Sequence, residues 1–243
     1  QGSPLSPLLS NILLHELDKE MTRRGHKFVR YADDFSIYCK SENQAKATRV
    51  VIEKFLKNKL KLTINQEKSG IRKPVNFSIL GFSFVPTYEK RSKNKYQLVV
   101  SEKAWKKLKE RLKSITRKTT PATMDERFVK IKEVQRGWLN YFQGTSIMGK
   151  LRDIDGWLRN RLRYCIWHNW KKPERKRKNL LRLGVDPDHA YAWSRTRKGG
   201  WAIAQSPILG TTITLNRLKK RGYVSLTELY IQLNPSLCEP PST

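Results

Sequence analysis

The chain has 243 residues, 38% of them hydrophobic, and a net charge of +29 from 50 Lys/Arg against 21 Asp/Glu. That length allows one large or two small domains, and the apolar share is sufficient for a core but low for a globular chain. No apolar run approaches the roughly 20 residues of a membrane span, which argues against a membrane protein. Cys39, Cys165 and Cys238 stand far apart without a Cys-x-x-Cys pair, which argues against a structural zinc site or a disulfide scaffold and fits a reducing compartment. The charge is uneven: residues 1–100 carry 19 Lys/Arg against 9 Asp/Glu, residues 101–200 carry 27 against 10, and the remainder is nearly neutral. A field of this size attracts polyanions. A merely soluble basic protein or a binder of anionic membranes would share the charge. Basic residues that alternate with aromatics on helices, without a strongly apolar anchor, point to nucleic acid instead. No signal peptide is visible and the first residue is not Met, so the chain is expected to begin inside a longer protein, as a fragment, a processed piece or one part of a split protein.

Residues 1–7 read as an irregular Gly/Ser/Pro segment, followed from Leu8 by an amphipathic helix with Leu9, Leu13, Leu17 and Met21 near one face. Gly25 ends it. Residues 27–38 read as a β-hairpin: both arms are rich in aromatic and β-branched residues, and a short acidic turn joins them. The turn sets Asp33 beside Asp34. Adjacent carboxylates repel unless water or a cation relieves them, and a hard divalent cation such as Mg²⁺ prefers carboxylate oxygens. A solvated turn would look the same. A second helix is predicted from Glu42 to about Leu60, with Ala47, Val51 and Phe55 and also Ile52 and Leu56 at i,i+4 spacing. Leu62–Ile64 is predicted as a short strand, and 77–85 as another, broken at Gly81; 95–100 pairs back on it across the polar loop 87–94. Helix, hairpin, helix and strand in this order give an α+β unit.

At Ser101, a plausible N-cap, the character changes. Trp105, Leu108, Leu112 and Ile115 form a stripe, with lysines and arginines over the rest. Pro121 precedes a second helix at about 124–142 with Phe128, Ile131, Val134, Trp138 and Phe142, and a third at about 147–170 carries Leu151, Ile154, Leu158, Leu162 and Cys165. Three basic amphipathic helices make a small bundle. Residues 171–182 then hold seven Lys/Arg. A short helix at about 187–195, a flexible break at 198–200, short elements at 201–221 and 224–233 and a mobile Pro-rich tail complete the reading.

Three motifs fall in a telling order: Gln-Gly-Ser-Pro-Leu-Ser-Pro-Leu-Leu-Ser-Asn at 1–11, Tyr-Ala-Asp-Asp at 31–34 and Ile-Leu-Gly-Phe at 79–82. Together they resemble the later blocks of a reverse transcriptase palm. With Arg-Gly-Trp-Leu-Asn-Tyr-Phe at 136–142, the chain is similar to the group II intron-encoded reverse transcriptase/maturase family over about residues 1–170. The resemblance implies an α+β fold class: a partial palm (1–100), an all-α basic thumb or maturase domain X (101–170), and a small, mostly helical basic C-terminal segment with a mobile tail (171–243).

The activity implied is RNA-directed DNA polymerisation by two-metal nucleotidyl transfer, with two Mg²⁺ about 4 Å apart, together with binding and splicing of a group II intron RNA and retrohoming of this mobile element. Asp33 and Asp34 would be the metal-binding catalytic pair, with Lys68 donating a proton to pyrophosphate. Gln1, Gly2 and Tyr31 would lie beside nucleotide and template, and Leu80, Gly81 and Phe82 would grip the primer. RNA contacts fall to Lys109, Lys113, Arg136, Arg159, Arg163, Lys171, Lys172, Arg175 and Arg177, with Trp167, Trp170 and Tyr191 as exposed stacking candidates. Partners are then intron RNA, a DNA target or primer and deoxynucleoside triphosphates, without a membrane; a homodimer stays open. Localisation is expected to be cytoplasmic and nucleoid-associated in a bacterium, or organellar. The family uses a further Asp from an earlier palm strand, and no residue after Gln1 matches that motif; Asp18 sits on a helix and is a poor substitute. The chain by itself is therefore expected to lack nucleotidyl transfer. Two alternatives are a non-catalytic RNA-binding splicing cofactor and a related bacterial reverse transcriptase with a defence role. No nuclease module with paired cysteines is seen.

Overall fold

A computed structural model describes residues 5–87 and 95–235. Gln1, Gly2, Cys238 and most of the polar loop 87–94 and of the tail lie outside the described residues. The architecture is mostly helical with small antiparallel sheets, and it divides into two compact units, Gln1–Lys73 and Pro74–Thr243.

The first unit runs α1 (Ser6–Arg23), β1 (Lys27–Tyr31), β2 (Asp34–Tyr38) and α2 (Glu42–Asn58). Gly25, at φ 71°, closes α1: its N–H donates to the Thr22 carbonyl and the next N–H, from His26, to Met21. This 6→1, 5→2 pattern satisfies the last carbonyls and needs the left-handed residue that glycine supplies. Ser41 caps α2 by accepting from the Gln44 N–H. Leu14, Leu17 and Met21 of α1 pack with Ile52 and Leu56 of α2, and Phe28, Phe35 and Ile37 of the hairpin lean on them. Leu9 and Leu13 do not join this core: they are 62% and 43% exposed, because α2 and the hairpin cover only the C-terminal half of α1. Ala47 is likewise exposed; Thr48 takes the buried place on α2. Leu62–Ile64 is not a strand. Its alternation is real, since Leu62 and Ile64 pack on the core and Lys61 and Thr63 face solvent, but no neighbouring strand among the described residues offers it a ladder.

The second unit opens with a 3₁₀ turn (Pro74–Asn76) and a three-stranded antiparallel sheet, β3 (Ser78–Ile79), β4 (Phe82–Pro86) and β5 (Tyr96–Val100), in the order β3-β4-β5. Gly81 is not a bulge within one strand. Ile79 pairs with Phe82, and Leu80 (φ 52°) and Gly81 (φ 83°) form a two-residue hairpin turn with positive φ at both positions.

Helices follow: α3 (Glu102–Ile115), α4 (Met124–Phe142), α5 (Met148–Asn169), α6 (Pro173–Arg182), α7 (Pro187–Ser194), α8 (Gly200–Gln205), α9 (Pro207–Thr212), α10 (Leu215–Lys220) and α11 (Leu226–Leu233). Ser101 caps α3, and Thr123 with Glu126 forms a reciprocal capping box on α4. The stripe Trp105, Leu108, Leu112 and Ile115 is buried, as are Leu151, Leu158, Leu162 and Cys165 of α5. One hydrophobic core runs from Val100 to Tyr230, and Phe82 of β4 packs on it. The strands 78–100 thus share their core with the helices after them.

Two buried polar groups organise this unit. Arg127, 3% exposed, sends its guanidinium to the carbonyls of Ile115, Arg117, Thr120 and Ala122, folding the α3–α4 connection around one cation. Asp155 of α5, 2% exposed, accepts from the backbone N–H of Leu226 (2.8 Å) and Thr227 (2.9 Å) and from the hydroxyls of Thr227 and Tyr223. It caps the N-terminus of α11, where an anion is favoured, and burial beside this carboxylate pushes the Tyr223 hydroxyl pKa far up.

Candidate functional site

The hairpin of the first unit fixes the acidic pair. Tyr31 pairs with Asp34, so the turn is Ala32-Asp33, with Ala32 at φ 54°. Phe28, Arg30, Phe35 and Ile37 lie on the face toward the core; Val29, Tyr31 and Asp34 lie on the other, exposed face. Asp33 and Asp34 are both exposed at the tip. Their oxygens suit a hard divalent cation. No cluster of three His, Cys, Asp or Glu side chains able to hold a metal occurs among the described residues. The two carboxylates are a partial donor set for such an ion, and the described ligands by themselves do not complete a two-ion site. Asp18 is occupied elsewhere: it forms a two-oxygen ion pair with Arg30 at 2.6–3.1 Å.

Other residues singled out from sequence take distinct places. Lys68 is exposed in the turn whose amides donate to the Asn65 side chain. Leu80, Gly81 and Phe82 dock on the C-terminal end of α4: the Tyr141 hydroxyl donates to the Leu80 carbonyl at 3.0 Å, and the Phe82 ring lies 5.5 Å from Tyr141 and 5.0 Å from Phe142. The Ile-Leu-Gly-Phe motif and the Arg-Gly-Trp-Leu-Asn-Tyr-Phe motif, whose glycines Gly81 and Gly137 stand 56 positions apart in sequence, thus meet in one contact.

Lys109 and Lys113 are exposed on α3 and line a cleft of about 440 Å³ with Trp157 and Arg161 of α5 and Trp201 of α8. Arg159 and Arg163 lie elsewhere on α5. Arg163 is half-buried and donates to the carbonyls of Ile213 (3.0 Å) and Gly210 (3.5 Å), so its donors are engaged within the protein, and burial lowers its pKa. Arg136, Lys171, Lys172 and Arg175 are exposed; Arg177 is half-buried, 5.7 Å from the Tyr191 ring. Lys171 lines a second cleft of about 360 Å³ with Lys176, Lys198 and His168. Burial, then the positive charges of Lys118, Lys171 and Lys176, holds the His168 pKa below its usual 6.5.

Of the stacking candidates, Tyr191 is exposed between Arg177 and Arg195, and Trp170 is half-buried. Trp167 is not exposed. It is 3% accessible, packed on Trp170 with the Lys176 ammonium 4.4 Å from its ring. Sequence reasoning missed Trp157, Arg161 and Trp201. The i,i+4 spacing of Trp157 and Arg161 was a usable signal; the arrival of α8 beside them was not.

Residues 1–84 match the family model described as reverse transcriptase (RNA-dependent DNA polymerase). Residues 105–184 match that of the group II intron maturase-specific domain. No match was found among curated proteins. No described helix is long and apolar enough to cross a membrane. A reverse transcriptase segment followed by a maturase-specific domain on one chain identifies it as a member of the group II intron-encoded reverse transcriptase/maturase family.

Proposed function

We propose that this chain serves an RNA-directed DNA polymerase that is also an intron maturase: it binds group II intron RNA, aids splicing and supports retrohoming. The observation that carries the RNA-binding part is the cationic surface of the second unit, where exposed Lys109, Lys113, Arg136 and Arg175 on helices, and Lys171 and Lys172 in the α5–α6 connection, all lie within the maturase-specific match. Phosphate contacts of this kind give affinity without sequence readout.

For synthesis, Asp33 and Asp34 would hold Mg²⁺ against a deoxynucleoside triphosphate, with Lys68 near the leaving pyrophosphate and Leu80–Phe82 against the primer. When bound, the two ions would activate the primer hydroxyl and steady the leaving group. A further carboxylate has to come from outside the described residues or from another chain. The family's division into palm, thumb and basic C-terminal segment is the domain reading that goes with this function.

The test is the affinity of the chain for a group II intron RNA as salt is raised. The affinity should fall steeply, with a log–log slope near −0.7 to −0.9 for each phosphate neutralised. Salt-independent binding, or none, would defeat the reading. In the full-length enzyme, Asp33→Ala and Asp34→Ala should abolish primer extension; extension that survives them would overturn the assignment of this pair to synthesis.

A further inference from the structure

The cleft between α3, α5 and α8 has a composition that the phosphate-binding role alone does not explain. Trp157 and Trp201 are half-buried and line it together. The Lys109 ammonium lies 5.1 Å from the Trp157 ring centroid. Arg161 is 5.8 Å from the Trp201 and Tyr164 rings. Its guanidinium is held in place: Nε donates to Thr116 Oγ1 at 3.1 Å, and Nη2 donates to the carbonyls of Thr116 at 2.7 Å and Lys113 at 3.3 Å. The cation and its plane are therefore preorganised before any ligand arrives.

Along the rim, Lys106, Lys109 and Lys113 are exposed and repeat at i, i+3 and i+7 on one face of α3, spanning about 10 Å. Glu110 is the one acid among the described lining residues, which together keep a net positive charge. Its volume, about 440 Å³, falls within the roughly 300–1,000 Å³ of small-ligand pockets. Duplex RNA needs only phosphate and shape contacts, whereas unpaired bases stack on aromatic rings and on arginine planes. The second cleft lacks this feature, because its tryptophan, Trp167, is buried.

We propose that the α3–α5–α8 cleft takes one unpaired nucleotide of a structured RNA, its base against the Trp157 and Trp201 rings and its phosphates on Lys106, Lys109 and Lys113. The proposal rests on the RNA-binding reading above. It adds that this face selects an extruded base rather than a regular helix.

The experiment compares two RNA hairpins of equal length, one fully paired and one with a single-nucleotide bulge, by anisotropy titration against the whole chain. The bulged hairpin should bind about tenfold more tightly, the order expected for one stacked base. Trp201→Leu should bring its affinity down to that of the paired hairpin and leave the paired hairpin unchanged. Equal affinities for the two hairpins in the wild type would overturn the proposal. So would a bulge preference that survives in both Trp201→Leu and Trp157→Leu. If these variants fail to fold by circular dichroism, a thiouridine in the bulge decides: crosslinks to peptides holding α3, α5 or α8 support the cleft, and crosslinks elsewhere refute it. Failure of both hairpins to bind would overturn the RNA-binding reading itself, a different outcome from binding without preference.

Discussion

The Arg30 guanidinium holds Asp18 of α1 by Nη2 at 2.6 Å and by Nε at 2.8 Å, and its other nitrogen donates to the Ala32 carbonyl at 2.9 Å. One side chain thus ties the acidic hairpin to α1 and fixes the turn that presents Asp33. The pair is partly buried, so salt screens it less than a surface pair. Arg30→Ala should destabilise the hairpin by about 2 kcal/mol, the worth of charge-assisted hydrogen bonds, and Arg30→Lys should recover little because the forked geometry is lost. Hydrogen exchange of the β1 and β2 amides should quicken by about thirtyfold for that loss. Unchanged exchange would mean that the tip is held by other contacts.

Gly81 cannot carry a side chain. Its φ is 83°, and an added Cβ would lie 2.9 Å from Phe142 Cζ. Gly81→Ala should cost about 1–3 kcal/mol through backbone strain and displacement of that ring. Leu80→Asn should move the other way by about 0.5–1 kcal/mol, since Asn tolerates the left-handed conformation and Asn-Gly suits such a turn. All seven tryptophans lie at or beyond residue 105, so tryptophan fluorescence during urea unfolding reads the second unit for both variants.

Asp155 supports α11 through four hydrogen bonds from Tyr223, Leu226 and Thr227. Asp155→Ala would leave buried donors unsatisfied and should cost about 3 kcal/mol. The loss should appear first as faster hydrogen exchange in α11. A variant as stable as the wild type would show that α11 docks by apolar burial alone.

The depressed pKa of His168 gives a pH dependence with a definite sign. Between the lowered folded value and the unfolded value of 6.5, the unfolded chain binds more protons. Stability therefore falls as pH drops through that window, and above it this group contributes no further pH dependence. RNA phosphates near Lys171 and Lys176 would offset the part of the perturbation that these lysines cause, so binding should take up a proton and tighten as pH falls toward about 6. His168→Gln should flatten both dependences, as measured by thermal unfolding and by RNA titration.

Much of the helical unit was legible because its signals are local. The Ser101 cap, the Trp105–Ile115 stripe and Pro121 define α3 and the start of the next helix without knowledge of any partner. The hairpin at 27–38 was legible for the same reason, through alternation and a tight turn. Where the reading missed, tertiary context decided. Leu62–Ile64 alternates correctly but has no neighbouring strand among the described residues. Trp167 and Arg163 look like surface residues on a basic helix until α6 and α9 cover them. Arg127 and Asp155 read as ordinary charges, since nothing local tells a buried, carbonyl-satisfied ion from a solvated one.

The central claim is a division of labour between the acidic tip and the basic helices. It is tested most directly by the affinity for a group II intron RNA, at one fixed salt concentration, of two variant chains. One carries Asp33→Ala with Asp34→Ala; the other carries Lys109→Gln, Lys113→Gln, Lys171→Gln, Lys172→Gln and Arg175→Gln. The acidic-tip variant should bind as well as the wild type or better, and the basic-face variant should lose at least about tenfold. Equal losses in the two variants would contradict the account.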